Sequence, residues 1–126
     1  MHSAFKHILL IDDNKVLLKA LEAAIGPDSH KVCMAWTSHG VMTCIHQHRP
    51  DIVALDLFLP DVDGFEIMRI VKQQLPKTRT IIVSGSALAG NPHYREMLAE
   101  LGADATLNKP YTPQMLLEAA LGEKRG

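Results

Sequence analysis

Polar side chains close several short apolar runs of this sequence, at positions where they could act together on one substrate. Asp12 and Asp13 follow the first run, Asp56 ends the run "DIVALD", Ser84 closes a later run, and Lys109 follows the run "ATLN". Each residue alone has an ordinary explanation as a helix cap, a turn residue or a solvated charge. Gathered in one place, three carboxylates, a hydroxyl and a cation would compose a site for phosphoryl transfer.

The chemistry of such a site requires a second cation. Three neighbouring carboxylates repel one another, and one would protonate unless a cation neutralised them. Mg²⁺ is a hard ion that prefers oxygen ligands and keeps coordination positions open for water or phosphate. A carboxylate could then attack phosphorus while the metal and Lys109 share the charge of the transferring oxygens and Ser84 hydrogen-bonds another oxygen. No glycine-rich phosphate loop follows the first run, so a P-loop or dinucleotide site is not indicated.

Alternating patterns predict the elements that must position these residues. Continuous or β-branched apolar runs predict strands at 5–11, 31–36, 51–56, 79–86 and 105–108, and helical periodicity predicts helices at 14–26, 39–49, 64–75, 91–102 and 112–122. Five βα units with short connections favour a parallel sheet with helices on both faces. Ligands of such sheets bind outside the carboxyl ends of the strands, which is where all the polar residues above are expected.

Composition limits the class of protein. The 126 residues suit one domain, and 47% apolar with 21% charged residues is typical of a globular chain. A net charge of -1 without a basic run argues against nucleic-acid binding. No apolar run approaches the ~18 residues of a membrane span, and the first residues lead directly into a strand, so no signal peptide is expected. Cys33 and Cys44 lack CxxC spacing, which favours reduced thiols and a cytoplasmic location.

The four richest motifs together resemble the receiver domain of two-component response regulators, of the chemotaxis-regulator type. They are "LIDDN" (10–14), "PDIVALDLFLPDVDGFE" (50–66), "IIVSGS" (81–86) and "GADATLNKPY" (102–111). The resemblance covers the whole chain and implies a single receiver domain at 1–126, with a frayed tail at about 122–126. It also implies a flavodoxin-like doubly wound (βα)5 fold, with five parallel strands in the order 2-1-3-4-5.

The resemblance assigns the phosphoryl chemistry and the metal site. Asp56 would be the phosphoacceptor and would take a phosphoryl group from a phosphohistidine of a sensor histidine kinase or a histidine phosphotransfer protein. Asp13 would bind Mg²⁺ directly and Asp12 through water. Asp56 and the backbone carbonyl of Phe58 would complete the protein ligands.

The resemblance also assigns the switch. Ser84 would be the hydroxyl that turns toward the phosphoryl group, and Lys109 would pair with that group. A cis peptide bond is expected between Lys109 and Pro110. The loop 84–92 is rich in small residues; it is either simply a permissive loop or, since Ser84 begins it, a segment that moves with phosphorylation. The switch would act on a downstream effector or output domain. The domain itself would contact neither nucleic acid nor membrane, and it would catalyse only its own phosphotransfer and slow autodephosphorylation.

Two residues depart from the family pattern. Thr106 stands where the family usually carries Tyr or Phe, so the usual coupling between the switch hydroxyl and an aromatic ring is expected to be absent or rerouted. Tyr94 could line the same surface, whereas Tyr111 is interpreted as a packing residue. Phe58, two residues after the acceptor, is expected to slow hydrolysis of an aspartyl phosphate by limiting access of water.

Alternative interpretations remain open. A degenerate receiver could act as a docking module that does not depend on phosphorylation, which Thr106 favours. A haloacid-dehalogenase-type hydrolase would need an acid where Phe58 stands, and a flavodoxin would need hydroxyls and amides where Asp12 and Asp13 stand. In the loop after the acceptor, Asp61 and Asp63 are interpreted as solvated acids rather than ligands.

Overall fold

The computed structural model of the chain describes residues 5–26, 28–85 and 90–122. Strands and helices alternate along it. In chain order they are β1 (His7–Ile11), α1 (Lys15–Ile25), β2 (Lys31–Ala35), α2 (Ser38–His48), β3 (Ile52–Asp56), α3 (Gly64–Gln74), β4 (Arg79–Gly85), α4 (Pro92–Leu101), β5 (Ala105–Lys109) and α5 (Pro113–Leu121). The predicted elements are all present, with ends that differ by at most two residues.

The strands form one parallel sheet in the order β2-β1-β3-β4-β5, which confirms the predicted flavodoxin-like topology. β1 and β3 are interior strands. Residues 8–11 and 52–55 are all buried, because side chains that alternate between the faces meet helices on both sides. This explains why these strands read as continuous apolar runs.

Two separate cores hold the helices on the sheet. Leu10 and Ala54 point to the face covered by α1 and α5, and Leu9 and Val53 point to the face covered by α2, α3 and α4. The 2-1-3-4-5 order reverses direction between β1 and β3. Loops from these two strands therefore diverge at the carboxyl edge and leave a crevice there.

Each helix begins at a side-chain cap. The caps are Asn14, Thr37, Asp63, Asn91 and Thr112, and each side-chain oxygen accepts one or two backbone N–H groups of the first turn. The predicted starts of α4 and α5, with proline directly after the cap, are confirmed. Asp63 is exposed as predicted, but its carboxylate also accepts the amides of Phe65 and Glu66 and so begins α3.

The prediction of reduced thiols is wrong for the two cysteines. Cys33 in β2 and Cys44 in α2 form a disulfide, with their Cα atoms 6.5 Å apart. The reason lies in the topology, because α2 follows β2 directly and folds back over this edge strand. Spacing along the chain does not reveal this proximity. No helix in the described ranges is long and apolar enough to cross a membrane.

Candidate functional site

The predicted polar residues lie at the carboxyl edge of the sheet. Asp12 directly follows β1, Asp56 is the last residue of β3, and Lys109 is the last residue of β5. Ser84 lies in β4, one residue beyond the partner of Asp56, and pairs with Asn108 of β5. The parallel register therefore brings residues far apart in sequence to one edge.

Lys109 joins two acids of the site, Asp12, which is buried, and Asp56, which is partly buried. Its Nζ donates a hydrogen bond to Oδ2 of Asp56 at 2.6 Å and lies 3.4 Å from Oδ2 of Asp12. The peptide bond between Lys109 and Pro110 is cis, as predicted. The sequence prediction that Lys109 is directed toward the acids, rather than into solvent, is confirmed by these contacts.

Asp12 is fixed by the backbone around it. The residue is only 4% exposed, its N–H donates to the carbonyl of Ala35 in β2, and its Oδ1 accepts the N–H of Asn14 at 2.9 Å. Buried carboxylates are costly unless they are paired and hydrogen-bonded. Here a backbone amide and the Lys109 ammonium supply those partners.

The loop after β3 holds the carboxylate of Asp56. Its Oδ1 accepts the N–H of Phe58 at 3.1 Å, and Phe58 forms an isolated β-bridge with Asp63. Gly64 closes this loop, because a Cβ atom there would lie 2.5 Å from the carbonyl oxygen of Leu57. Only glycine allows this approach, which explains the glycine eight residues after Asp56.

The electrostatics of the site favour a charged lysine. Burial lowers the pKa of Lys109, but the hydrogen bond to Asp56 and the negative charges of Asp12 and Asp56 outweigh it, and the pKa lies above its ordinary value. Nearby, burial and the charge of Asp12 raise the pKa of Tyr111 to about 12. Lys109 is therefore a permanent cation at neutral pH and Tyr111 a neutral phenol.

Ser84 is buried and lines a groove between α4 and β5. The groove has a volume of about 370 Å³, and Tyr94, Thr106 and Asn108 also line it. Thr106 is exposed, so the position of the expected aromatic ring is open space. Of the predicted mobile loop 84–92, residues 86–89 lie outside the described part of the chain, as do residues 123–126 of the predicted frayed tail.

The predicted metal site is not evident among the described residues. Asp13 is exposed, and the described ranges contain no group of three or more His, Cys, Asp or Glu side chains that could hold a metal ion. Asp12 and Asp56 nevertheless fit Mg²⁺ in chemistry, since they supply hard oxygen atoms. Their two negative charges face one lysine, and the net charge that remains attracts a further cation.

Sequence reasoning missed two contributors to the site. Asn14 caps α1 and donates its backbone N–H to Asp12, and the carbonyl of Ala35 accepts the Asp12 N–H. Asn14 carried a signal, because it is the first residue of the predicted helix 14–26 and asparagine is a preferred cap. Ala35 carried none, since its role depends on the parallel pairing of β1 with β2.

Comparison with known proteins agrees with this geometry. The sequence model of the response regulator receiver domain family matches residues 8–121. The chain is 35% identical over 71 residues to the transcriptional regulatory protein AfsQ1 of Streptomyces coelicolor, covering 55% of this chain and 32% of that protein. It is 28% identical over 109 residues to the probable transcriptional regulator ycf27 of Guillardia theta, covering 86% of this chain and 41% of that protein.

A solved structure is similar over most of the chain. The BeF3-activated receiver domain of DrrB, a Thermotoga maritima protein, has 28% sequence identity and a TM-score of 0.75, covering 90% of this chain and 92% of that one. The chain spans only about a third to two-fifths of the length of the two curated relatives. With its fold, its site geometry and a family match over most of its length, the chain belongs to the response regulator receiver domain family.

Proposed function

We propose that this receiver domain accepts a phosphoryl group on Asp56 and switches its partner-binding surface in response. The single observation that carries the proposal is the position of Lys109. Its Nζ lies 2.6 Å from Asp56 and 3.4 Å from Asp12, so a cation stands directly beside the candidate acceptor. The same ammonium that neutralises these acids is positioned to pair with a phosphoryl group on Asp56.

The proposed reaction transfers a phosphoryl group from nitrogen to oxygen. A carboxylate oxygen of Asp56 attacks the phosphorus of a phosphohistidine, the P–N bond breaks, and the imidazole keeps the electron pair and takes up a proton. Negative charge on the transferring oxygens is stabilised by Lys109, and Ser84 donates a hydrogen bond to one of them. Hydrolysis of the aspartyl phosphate by water would reset the switch.

Members of this family typically use Mg²⁺. In this chain we propose that Asp12, Asp13, Asp56 and the backbone carbonyl of Phe58 would hold the ion. Bound there, it would neutralise the carboxylates and draw phosphate oxygens toward the acceptor. Asp12 is already held in place by the Asn14 and Ala35 backbone.

Phe58 supports a further part of the proposal, which concerns how long the phosphoryl group lasts. Phe58 is 52% exposed, and its backbone N–H donates to the carboxylate of Asp56. A ring at this position can restrict the approach of water. We therefore expect slower dephosphorylation in the wild type than in Phe58→Asn, and equal rates would remove this part of the proposal.

The partners and the output follow from the family. Receiver domains are linked to output domains in two-component systems, and the curated relatives of this chain are transcriptional regulators of greater length. We propose a sensor histidine kinase or a histidine phosphotransfer protein as the donor and a downstream effector or output domain as the target. In this scheme the domain is not a turnover enzyme, and we propose that it works in the cytoplasm.

The test is covalent labelling of three proteins with acetyl phosphate and Mg²⁺. Intact mass spectrometry should detect one added phosphate on the wild type and on Asp61→Asn, and none on Asp56→Asn. Asp61 is the matched control because it is an exposed acid in the same loop. Labelling should also require Mg²⁺. Chelation of the ion before acetyl phosphate is added should therefore prevent labelling.

Two results would contradict the proposal. Labelling that persists in Asp56→Asn would move the acceptor to another residue. Absence of labelling in all three proteins would favour the alternative of a docking module, which the open position at Thr106 makes physically reasonable. In that case a partner should bind equally well to wild type and Asp56→Asn.

A further inference from the structure

Tyr94 is the most unusual buried side chain outside the acceptor site. It lies on α4, is only 7% exposed, and its hydroxyl group has no hydrogen-bond partner within the described part of the chain. Buried tyrosine hydroxyls usually find a partner, since an unpaired polar group away from water raises the free energy of the folded state. The unpaired hydroxyl is therefore an unfavourable feature of this arrangement, which a different position of the ring could remove.

The groove beside Tyr94 offers such partners. Ile82 pairs with Thr106 and Ser84 with Asn108 in the parallel register, and Ile82 belongs to the core under α4. Side chains two residues apart on a strand share a face, so Ser84, Thr106 and Asn108 all lie toward α4. Thr106 and Asn108 are exposed polar residues, and about 370 Å³ of open groove lies among them and Tyr94.

Tyr94 is also connected to the acceptor by two short routes. The backbone N–H of Phe58 donates to Asp56, and the Phe58 ring lies 6.1 Å from the Tyr94 ring between centroids. Ser84 lines the same groove as Tyr94. A change at the acceptor carboxylate that shifts Phe58 or turns the Ser84 hydroxyl therefore reaches Tyr94 through direct neighbours.

From these observations we propose that Tyr94, on α4, is the aromatic switch residue of this receiver and moves in the groove that Thr106 leaves open. The inference rests on the proposed phosphorylation of Asp56. When the phosphoryl group draws Ser84 toward itself, the Tyr94 ring moves toward Thr106 and Asn108, and its hydroxyl gains a hydrogen bond there. The surface of α4 and β5 changes as a result, and this change is the signal that a partner reads.

The direction of the effect follows from linkage. A phosphoryl group can shift the equilibrium only if the two positions of Tyr94 differ in their interaction with the phosphorylated site. By the same linkage, a change that favours the present position must weaken binding of a phosphoryl mimic at Asp56. Tyr94→Phe removes the unpaired hydroxyl and favours the present position. Thr106→Phe fills the groove and so blocks the position of the Tyr94 ring near Thr106 and Asn108.

The experiment uses fluorine NMR, because the chain has only two tyrosines. In a Tyr111→Phe background labelled with 3-fluorotyrosine, the single resonance comes from Tyr94. Beryllofluoride with Mg²⁺ should shift this resonance, and adding Thr106→Phe should abolish the shift while labelling of Asp56 by acetyl phosphate continues. Thr106→Val is the matched control that leaves the groove open, and it should keep the shift.

Affinity gives a second readout that a purely structural role would not change. Beryllofluoride should bind Tyr94→Phe and Thr106→Phe more weakly than wild type, on the order of fivefold, with a thermal midpoint for unphosphorylated Tyr94→Phe that is no lower than that of wild type. A Tyr94 resonance that stays fixed while Asp56 is labelled would overturn this inference alone. Failure of Asp56 to be labelled in the parent protein would overturn the proposed function, and the inference with it.

Discussion

The acceptor corner and the α4–β5 groove lie on neighbouring strands but are built in opposite ways. At the corner, Nζ of Lys109 lies 2.6 Å from Oδ2 of Asp56 and 3.4 Å from Oδ2 of Asp12, and a backbone amide donates to each carboxylate. In the groove, Thr106 is exposed and the Tyr94 hydroxyl has no partner within the described residues. In the corner both carboxylates have hydrogen-bond partners, whereas in the groove the Tyr94 hydroxyl has none among the described residues.

This difference indicates which of the two regions should tolerate amino-acid substitutions if the domain works as the proposed phosphorylation switch. Phosphoryl transfer requires charges held at fixed distances from the reacting oxygens, so under the proposed function substitutions at the corner should impair the reaction directly. Transmission requires only a side chain with two positions of similar free energy. A missing aromatic on β5 can therefore be replaced by one on α4, provided that the groove between them is open.

The largest effect is expected at the corner from Lys109→Met. Loss of the ammonium should slow labelling by acetyl phosphate roughly a hundredfold, the scale seen when a preorganised electrostatic contact is removed. The same change should strengthen Mg²⁺ binding several-fold, because it removes a competing positive charge. Rates and Mg²⁺ titrations should be compared with Lys77→Met, which alters an exposed lysine before β4. Equal rates in both variants would show that Lys109 has only a structural role.

The tight packing of the corner can be tested by adding one methyl group. Gly64→Ala would place a Cβ atom 2.5 Å from the Leu57 carbonyl oxygen. We expect a loss of about 2 kcal/mol in the free energy of unfolding, as for other overpacked sites. Gly85→Ala is the control, since no atom lies within 4 Å of its Cβ position. Chemical denaturation measures both, and a tolerated Gly64→Ala would mean that the loop is not held closely.

The groove should tolerate a large side chain, whereas the loop at the acceptor corner should not tolerate even one added methyl group. Thr106→Phe adds a large side chain in about 370 Å³ of open space. We expect its free energy of unfolding to change by less than about 1 kcal/mol, in either direction. Denaturation of this variant beside Gly64→Ala tests the contrast between the two regions. A strong destabilisation by Thr106→Phe would show that the groove is not available to a ring.

The smallest effect is spectroscopic and concerns Tyr111, next to the corner. In Tyr94→Phe, Tyr111 is the only tyrosine, and its ultraviolet titration should have a midpoint near pH 12 in the folded protein, against an ordinary value of 10. The raised pKa contributes stability that is present below pH 10 and is lost between pH 10 and 12. A midpoint near 10 in the folded protein would contradict the burial of this phenol.

Much of the fold and the acceptor corner was predictable from sequence, for identifiable reasons. Residues 8–11 and 52–55 are buried on both faces, and burial of that kind leaves an unbroken apolar run. The helix caps Asn91 and Thr112 precede prolines, which is a local signal. Residues with local signals of this kind need no knowledge of the rest of the chain.

The residues that the sequence did not reveal act through distant neighbours. Cys33 and Cys44 are joined because α2 lies over the edge strand, and spacing alone pointed to free thiols. Ala35 supports Asp12 only through the pairing of β1 and β2. The unpaired hydroxyl of Tyr94 depends on how α4 packs on the sheet. None of these contacts between distant residues leaves a periodic pattern or a motif in the sequence.

The sequence by itself predicted the alternating βα units and the polar residues that close the strands, because alternation puts the carboxyl ends of parallel strands at one edge. Its resemblance to receiver domains supplied the strand order and the roles expected of those residues. Only the tertiary structure decided how those residues are arranged. It placed Lys109 between Asp12 and Asp56, left Asp13 exposed, and opened a groove beside Thr106 that Tyr94 lines. The physical reason is that distances and empty space depend on packing between elements, whereas element type depends on local periodicity.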